Sequence, residues 1–216
     1  MWCIPVLNDE YIQRMEDVLD LYEKPYKASE PVICLDEKPI QLLDSIRIDH
    51  SPIRPGKITK IDYEYRRCGT ANVFCGIEPK TGKHFNSPTQ NRKSPEFAKM
   101  IARIAMAYPN AKKIHLVMDN LNTHCEKSLL EYFGLKKGLK LWRRFEIHYT
   151  PKHASWLNQA EIAINIYSKQ CLGHQRINSL IELKNISKNW LRRINKNKSN
   201  IDWKFTSKMA KLKFKY

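Results

Sequence analysis

The chain has 216 residues, of which 42% are hydrophobic and 28% charged, and this composition excludes an intrinsically disordered protein. Lys and Arg outnumber Asp and Glu by 38 to 22, which gives a formal net charge of +16. No apolar run approaches the roughly 18 residues that a membrane span needs, so we expect neither a membrane protein nor a signal peptide.

The predicted elements alternate between helices and short apolar strands. Helices are predicted over 8–24, from Ser94 onward, over 123–133, from Ser155 to Cys171 and over 179–194. Strands are predicted at 31–35, 71–77, 83–85, 114–118 and 145–149, with a turn at 79–82 and an irregular connection at 42–60. This order predicts a mixed sheet flanked by helices, an α/β fold.

The charge is distributed unevenly along the chain. Residues 1–38 contain nine acids and four bases, whereas 184–216 contain eleven bases and one acid. A basic end of this density favours a nucleic-acid partner, although a solvated lysine-rich surface is the alternative. Lysines alternate with aromatic residues after Trp203, a pattern that would suit a tail following a DNA backbone.

The six cysteines are scattered along the chain. They are Cys3, Cys34, Cys68, Cys75, Cys125 and Cys171, and no two of them form a CxxC pair. We therefore expect neither a structural zinc site nor a disulfide framework, and a reducing compartment is the simpler interpretation.

Two of the predicted strands, 31–35 and 114–118, each end at an aspartate, Asp36 and Asp119. In open α/β sheets, sites form beyond the carboxyl ends of the strands, so these acids would lie close together. Facing carboxylates repel each other unless a proton or a cation lies between them, and oxygen ligands suit Mg²⁺ or Mn²⁺. The alternative is that each aspartate only caps the next element.

A third acid, Glu161, falls on the apolar stripe of the helix predicted over 155–171, together with Leu157, Ala160 and Ile164. A carboxylate on a core-facing stripe is costly unless it is paired or bound to metal, so an arginine partner or the edge of the stripe is the alternative. Three acids could hold two cations that activate a water and stabilise the leaving oxygen of a phosphodiester. A strongly basic protein suits a nucleic-acid substrate.

Four stretches of the chain resemble a known family. They are Cys34-Leu35-Asp36-Glu37-Lys38, Tyr63-Glu64-Tyr65 with Gly69-Thr70-Ala71-Asn72, Asp119-Asn120-Leu121-Asn122-Thr123-His124, and Pro151-Lys152-His153-Ala154-Ser155-Trp156-Leu157-Asn158 with Glu161. They are similar to the catalytic half of bacterial insertion-sequence transposases of the mariner-like DDE superfamily, the insertion-sequence-six-thirty group. The resemblance covers about 30–215.

The resemblance implies an RNase H-like fold with a mixed five-stranded sheet, in which Asp36, Asp119 and Glu161 match the metal-binding acidic triad. Glu37 should point to the opposite side of the strand. The implied activity is DNA strand cleavage and strand transfer with two Mg²⁺ or Mn²⁺ ions. The implied partners are transposon ends and target DNA, with homo-oligomers by analogy, and the implied location is the cytoplasm of a bacterium, at the nucleoid.

Two departures from the family concern the organisation of the chain. Asp119 and Glu161 are separated by 161 − 119 − 1 = 41 residues, which is longer than usual, and the extra length near 135–142 is predicted as a surface loop. Nothing matches the family's N-terminal helix-turn-helix. We expect an acidic helical segment at 1–29, a remnant of a linker, then a catalytic domain at 30–178 and a basic helix and tail packed on it at 179–216. A separate polypeptide could supply the reader of DNA ends.

Further residues are predicted to support the site or to contact DNA. Asn120 and His124 follow the second aspartate, and His124 could hydrogen-bond a phosphate or a ligand carboxylate. The predicted DNA contacts are Lys152, His153, Trp156, Arg143, Arg144, Arg192 and Arg193. For Trp156 the alternative is a place in the core, and for the others it is a solvated surface.

Three functions therefore follow from the sequence. The first is the catalytic domain of a metal-dependent DNA transposase. The second is a non-catalytic DNA-binding remnant of a truncated transposase, which the missing reader favours. The third is another RNase H-like nuclease, acting on RNA or hybrids.

Overall fold

The computed structural model describes residues 7–46 and 63–216. Within these ranges the elements are α1 (Asp9–Glu23), β1 (Val32–Ser45), β2 (Tyr65–Glu78), β3 (Lys83–Thr89), α2 (Ser94–Ala107), β4 (Ile114–Met118), α3 (Glu126–Phe133), α4 (Leu135–Trp142), β5 (Phe145–Tyr149), α5 (Ala160–Tyr167), α6 (Leu180–Asn197) and α7 (Ser207–Phe214). A 3₁₀ turn at Ser155–Leu157 precedes α5, and a π-helical turn at Ser168–Leu172 follows it.

The five strands form one mixed sheet in the order β3-β2-β1-β4-β5. β1, β2 and β3 pair antiparallel, whereas β4 runs parallel to both β1 and β5. The turn between β2 and β3 closes with Gly82 at φ +68°, a conformation that glycine adopts without strain. The predicted RNase H-like arrangement of a mixed five-stranded sheet between helices is confirmed.

Hydrophobic side chains pack on both faces of the sheet. One cluster joins Ile33 and Leu35 of β1 to the buried faces of α2 and α3. The other joins Cys34 of β1 and Val117 of β4 to α1 and the start of α5. Because side chains alternate along a strand, Asp36 faces the α1 side and Glu37 the α2 side. The prediction that these two neighbouring acids point in opposite directions is confirmed.

Several predicted boundaries are wrong. β1 continues past Asp36 to Ser45, because it is paired with β2 from Cys34 to Ser45, so the irregular connection predicted at 42–60 begins later. The part of that connection over 47–60 lies outside the described residues. The extra length after Asp119 is α4 and not a loop. The helix predicted from Ser155 to Cys171 is three pieces, with the α-helical part starting at Ala160.

The basic C-terminal end packs on the acidic N-terminal helix. The ammonium group of Lys211 in α7 lies 3.0 Å from a carboxylate oxygen of Glu16 in α1. Trp203, Phe205 and Phe214 are partly buried against the cluster beneath α1. These aromatic rings are therefore packed against protein and do not form the DNA-following tail predicted from the sequence. No helix in the described part of the chain is long and apolar enough to cross a membrane.

Candidate active site

An open cleft of about 770 Å³ lies beyond the carboxyl ends of β4 and β5, where it is lined by Asp36, Asp119 and Glu161. β1 and β4 pair through Cys34 and Val117, so Asp36 and Asp119 each lie two residues past that pair. The structure therefore brings together the three acids that were predicted as the triad. Asn120, Lys152 and His153, also predicted from the sequence, line the same cleft.

Asp36 is held in place from several directions. The amide nitrogen of the Asn158 side chain donates to Oδ2 of Asp36 at 3.3 Å and to the carbonyl of Leu35 at 2.9 Å. The backbone N–H of Glu37 donates to Oδ1 of Asp36 at 2.8 Å. Burial, together with the negative charges of Glu161, Glu37 and Asp119, raises the pKa of Asp36 to about 7. Asn158 was not among the predicted site residues.

Asp119 belongs to a chain of three charged side chains. Nδ1 of His124 lies 2.6 Å from Oδ1 of Asp119, and its Nε2 lies 2.6 Å from Oε1 of Glu37. The His124 ring is buried and stacks on Phe97 with ring centroids 4.7 Å apart. Of the two partners predicted for His124, a phosphate or a ligand carboxylate, the contact in this structure is with the carboxylate of Asp119.

This chain of contacts shifts the protonation of its members. Burial alone would lower the pKa of His124, but its hydrogen bonds to Asp119 and Glu37 outweigh this effect and raise the pKa to about 10. In return, the hydrogen bond from His124 lowers the pKa of Asp119. At neutral pH, therefore, a buried imidazolium links an ionised Asp119 to Glu37 on the other face of the sheet.

Glu161 occupies the first turn of α5, where it is exposed to the cleft. Asn158 starts this helix, because its side-chain oxygen accepts from the N–H of Ala160 at 3.1 Å and its carbonyl from the N–H of Glu161 at 3.0 Å. The prediction that Glu161 lies on the apolar, core-facing stripe of this helix is wrong. The α-helical phase begins only at Ala160, and that shift turns Glu161 outward.

The residues present fit a divalent cation. Asp36, Asp119 and Glu161 supply hard carboxylate oxygens, the ligands that Mg²⁺ and Mn²⁺ prefer. The raised pKa of Asp36 reflects negative charges converging in a partly buried place, and a bound cation would neutralise them. Asn120, on the rim, offers a neutral oxygen to the same space.

One wall of the cleft comes from α1, which sequence reasoning did not assign to the site. Asn8, Glu10, Tyr11 and Arg14 line the cleft, and the guanidinium of Arg14 lies 2.7 Å from Glu10. Arg14 is the only base within α1, and that is the sole sequence feature that sets it apart. On the facing loop, His153 has φ +63°, a strained conformation for a residue other than glycine.

The other predicted DNA contacts lie away from the cleft. Trp156 is partly buried against Phe205 and Phe214, at centroid distances of 5.5 and 6.3 Å. Arg143 and Arg144 precede β5, at the end of that strand opposite to the cleft. The guanidinium of Arg144 donates to the carbonyls of Ala105 at 2.9 Å and Tyr108 at 2.5 Å, so it joins the end of α2 to the start of β5.

Two further arginines, Arg192 and Arg193, lie on α6. This helix packs against β3 at the far edge of the sheet, and Arg193 donates to the carbonyl of Gln170 at 3.3 Å. A role of Arg143, Arg144, Arg192 and Arg193 in DNA binding remains a prediction, and it concerns surfaces separate from the cleft.

Comparison with known proteins agrees with this geometry. The family described as DDE superfamily endonuclease matches residues 31–184. No curated protein matches the chain. Among solved structures, a Mos1 mariner paired-end complex with Mn is 15% identical with a TM-score of 0.53, covering 89% of this chain and 58% of the other. A Mos1 strand transfer complex is 13% identical with a TM-score of 0.55, covering 91% and 62%.

These structural neighbours share the fold, and the chain spans about three fifths of their length. The family match extends over more than two thirds of the chain and includes Asp36, Asp119 and Glu161. The chain therefore belongs to the DDE superfamily of endonucleases.

Proposed function

We propose that the chain is the catalytic domain of a DNA transposase, which cuts and joins phosphodiester bonds with divalent ions held by Asp36, Asp119 and Glu161. The observation that carries the proposal is the convergence of these three carboxylates on one open cleft, each from a different element. The structural neighbours include a paired-end complex with a left transposon end, a strand transfer complex and complexes with Mn and Mg, and they support the same reaction and metals here.

Two bound ions would supply activation of a water or a 3′-hydroxyl and stabilisation of the leaving oxygen. The chain's own residues orient that chemistry. His124 fixes the carboxylate of Asp119, and Asn158 fixes that of Asp36, so two ligands are positioned before substrate arrives. Arg14 of α1 and Lys152 of the loop after β5 both line the cleft, where their positive charges can hold the phosphates beside the scissile bond.

The proposal includes the setting of the reaction. Residues 30–178 would form the catalytic domain, preceded by the acidic segment 1–29 and followed by the basic segment 179–216. The partners would be transposon ends and target DNA, the active form a homo-oligomer, and the location the bacterial nucleoid.

The test is cleavage by the purified full chain with Mn²⁺ or Mg²⁺. The sharpest substrate is a branched duplex that mimics a strand-transfer product, because the reverse reaction needs no end sequence. A supercoiled plasmid serves for nicking. Asp119→Ala should abolish both activities while leaving salt-sensitive DNA binding intact. Asp202→Ala is the matched control, because Asp202 is an exposed aspartate outside the cleft.

Nicking by Asp119→Ala at the wild-type rate would refute the assignment. Binding that is salt-sensitive, with no cleavage by the wild-type chain in either metal, would replace it with the non-catalytic remnant. Cleavage of RNA or of hybrids in preference to DNA would replace it with another RNase H-like nuclease.

A further inference from the structure

A second group of metal-binding side chains lies on β4 and β5, on the face of the sheet that α1 covers. His115 and Glu146 lie opposite each other in the parallel pair, and His148 follows two residues later on β5. Nδ1 of His115 lies 3.0 Å from Nε2 of His148 and 3.9 Å from Oε2 of Glu146. The three donor atoms all lie within 4.8 Å of one another.

Asp17 of α1 sets the tautomer of one of these rings. Its Oδ2 lies 2.7 Å from Nδ1 of His148, so the proton of a neutral ring stays on Nδ1. The lone pair of Nε2 then points at His115. A carboxylate behind a histidine is the usual way in which proteins orient a metal-binding imidazole. The arrangement therefore has both an inner set of donors and an outer support.

The surrounding charges favour a cation. Asp17, Glu30 and Glu146 are the acids that act on the two rings, and Lys24 is the base, which leaves two negative charges in excess. Both imidazoles are mostly buried, whereas the Glu146 side chain is 52% exposed.

We propose that His115 Nδ1, His148 Nε2 and the Glu146 carboxylate bind one Zn²⁺ ion, with the fourth position open to solvent beside Glu146. Two nitrogens and one carboxylate are a zinc ligand set, unlike the all-oxygen set of the cleft. Zinc bonds of about 2.0 to 2.1 Å in a tetrahedron separate the donors by about 3.4 Å. The distances of 3.0 and 3.9 Å lie on either side of that value, and the third pair of donors lies within 4.8 Å, so side-chain rotations that move the donors by about 1 Å would complete the site.

Such an ion would fasten β4 to β5 and, through Asp17, would hold α1 against both strands. The same helix supplies the wall of the acidic cleft that contains Tyr11 and Arg14. Zinc would thus stabilise the wall without entering the reaction. The proposal does not depend on the proposed function, because no residue is shared between the two ligand sets.

The test is titration of Zn²⁺ into the full chain against a chromophoric chelator. To remove the acidic cleft as a competitor, the titration uses Asp119→Ala/Glu161→Ala as the background. We expect one equivalent of zinc, and on substitution with Co²⁺ visible absorption bands of a tetrahedral site. His148→Gln should weaken binding by about 100-fold, and Asp17→Asn by about tenfold, because the outer partner only orients the ring.

Glu146→Gln is the variant that keeps the test valid if His148→Gln fails to fold, because Glu146 is half exposed. It should weaken zinc binding by at least about tenfold with an unchanged circular dichroism spectrum. His174→Gln, at an exposed histidine, is the matched control and should bind as the background does. Failure to bind zinc would show that His115, His148 and Asp17 form only a hydrogen-bonded chain. Equal binding by the background and by Glu146→Gln would place the ion elsewhere; either result overturns the proposal.

Discussion

The acidic cleft and the histidine cluster of His115, Glu146 and His148 lie on the same face of the sheet, yet their donors differ. The cleft presents carboxylates beyond the strand ends, in an open space of about 770 Å³. The histidine cluster presents two buried imidazoles within the strands. Oxygen donors in an open site favour Mg²⁺ or Mn²⁺ and leave room for substrate, whereas nitrogen donors select zinc and leave little room. The choice of donor atom thus separates two metal sites that share one helix as their cover.

The two clusters also differ in their effect on stability. In the cleft, burial and the neighbouring negative charges raise the pKa of Asp36, so its ionised form opposes folding. In the histidine cluster, the rings of His115 and His148 and the carboxylate of Asp17 satisfy one another by hydrogen bonds. Catalytic groups commonly reduce stability in this way, because their charges are arranged for a ligand and not for one another.

The largest expected effect is a loss of cleavage activity on a substitution in the acidic cleft, with no change at the histidine cluster. Glu161→Gln keeps the shape of the side chain but removes a charged metal ligand, so Mn²⁺-dependent cleavage should fall by about 1,000-fold or more. Zinc binding at His115 and His148 should not change. The measurement is cleavage of the branched duplex beside zinc titration, with Glu131→Gln on exposed α3 as the control. A parallel loss of both properties would mean that the clusters are one site.

His124 is a buried histidine whose two ring nitrogens both contact carboxylates, those of Asp119 and Glu37. His124→Ala leaves Glu37 buried at 3% side-chain exposure without its counter-charge. We expect a loss of about 3 to 5 kcal/mol in the free energy of unfolding, measured by urea denaturation. Because that cost comes from the buried Glu37 carboxylate left without a partner, the double variant His124→Ala/Glu37→Leu should recover a large part of the lost stability. A double variant as unstable as the single one would assign the cost to the cavity beside Phe97 instead.

Asp36→Asn should remove activity and yet stabilise the protein. The pKa of Asp36 is about 7 in the folded chain against an ordinary value of 3.8. The folded state therefore binds more protons between these values, and stability falls as the pH rises from about 4 to about 7. The substitution should add on the order of 2 kcal/mol at pH 8 and close to nothing at pH 4. A gain that does not depend on pH would rule out the carboxylate charge as its cause.

Much of the acidic cleft follows from local sequence. The apolar residues before Asp119 predict a buried strand of the observed length, and the residues from Pro151 to Glu161 mark the entry to the helix that bears the third acid. The orientation of Glu161 does not follow, because the 3₁₀ turn and the Asn158 contacts reset the helical phase. The spacing of apolar residues along the sequence cannot reveal such an interruption of the helix.

Two features depend on contacts between residues that are distant along the chain. One is the wall of the cleft that contains Arg14, and the other is the histidine cluster. His148 meets Asp17 across 131 residues, and no spacing rule connects His115 to His148. The cysteine pattern was the only zinc criterion that we applied to the sequence, and it predicted no structural zinc site, whereas the proposed site uses two histidines and a glutamate that this pattern does not include. The length of β1 was missed because its outer half is held by pairing with β2 and has few apolar residues to mark it.

The smallest effect concerns the helix that covers both clusters. Lys211 and Glu16 join α7 to α1 at 3.0 Å, with side-chain exposures of 56% and 28%. Water and salt screen such a pair, so Lys211→Ala should cost no more than about 0.5 kcal/mol, and the cost should disappear in molar salt. Lys137→Ala, on exposed α4, gives the baseline for removing a lysine. Zinc and Mn²⁺ binding should stay unchanged, because Trp203 and Phe214 hold α1 through apolar packing. A loss above about 1.5 kcal/mol that persists in salt would instead assign the attachment of α1 to the aliphatic stem of Lys211.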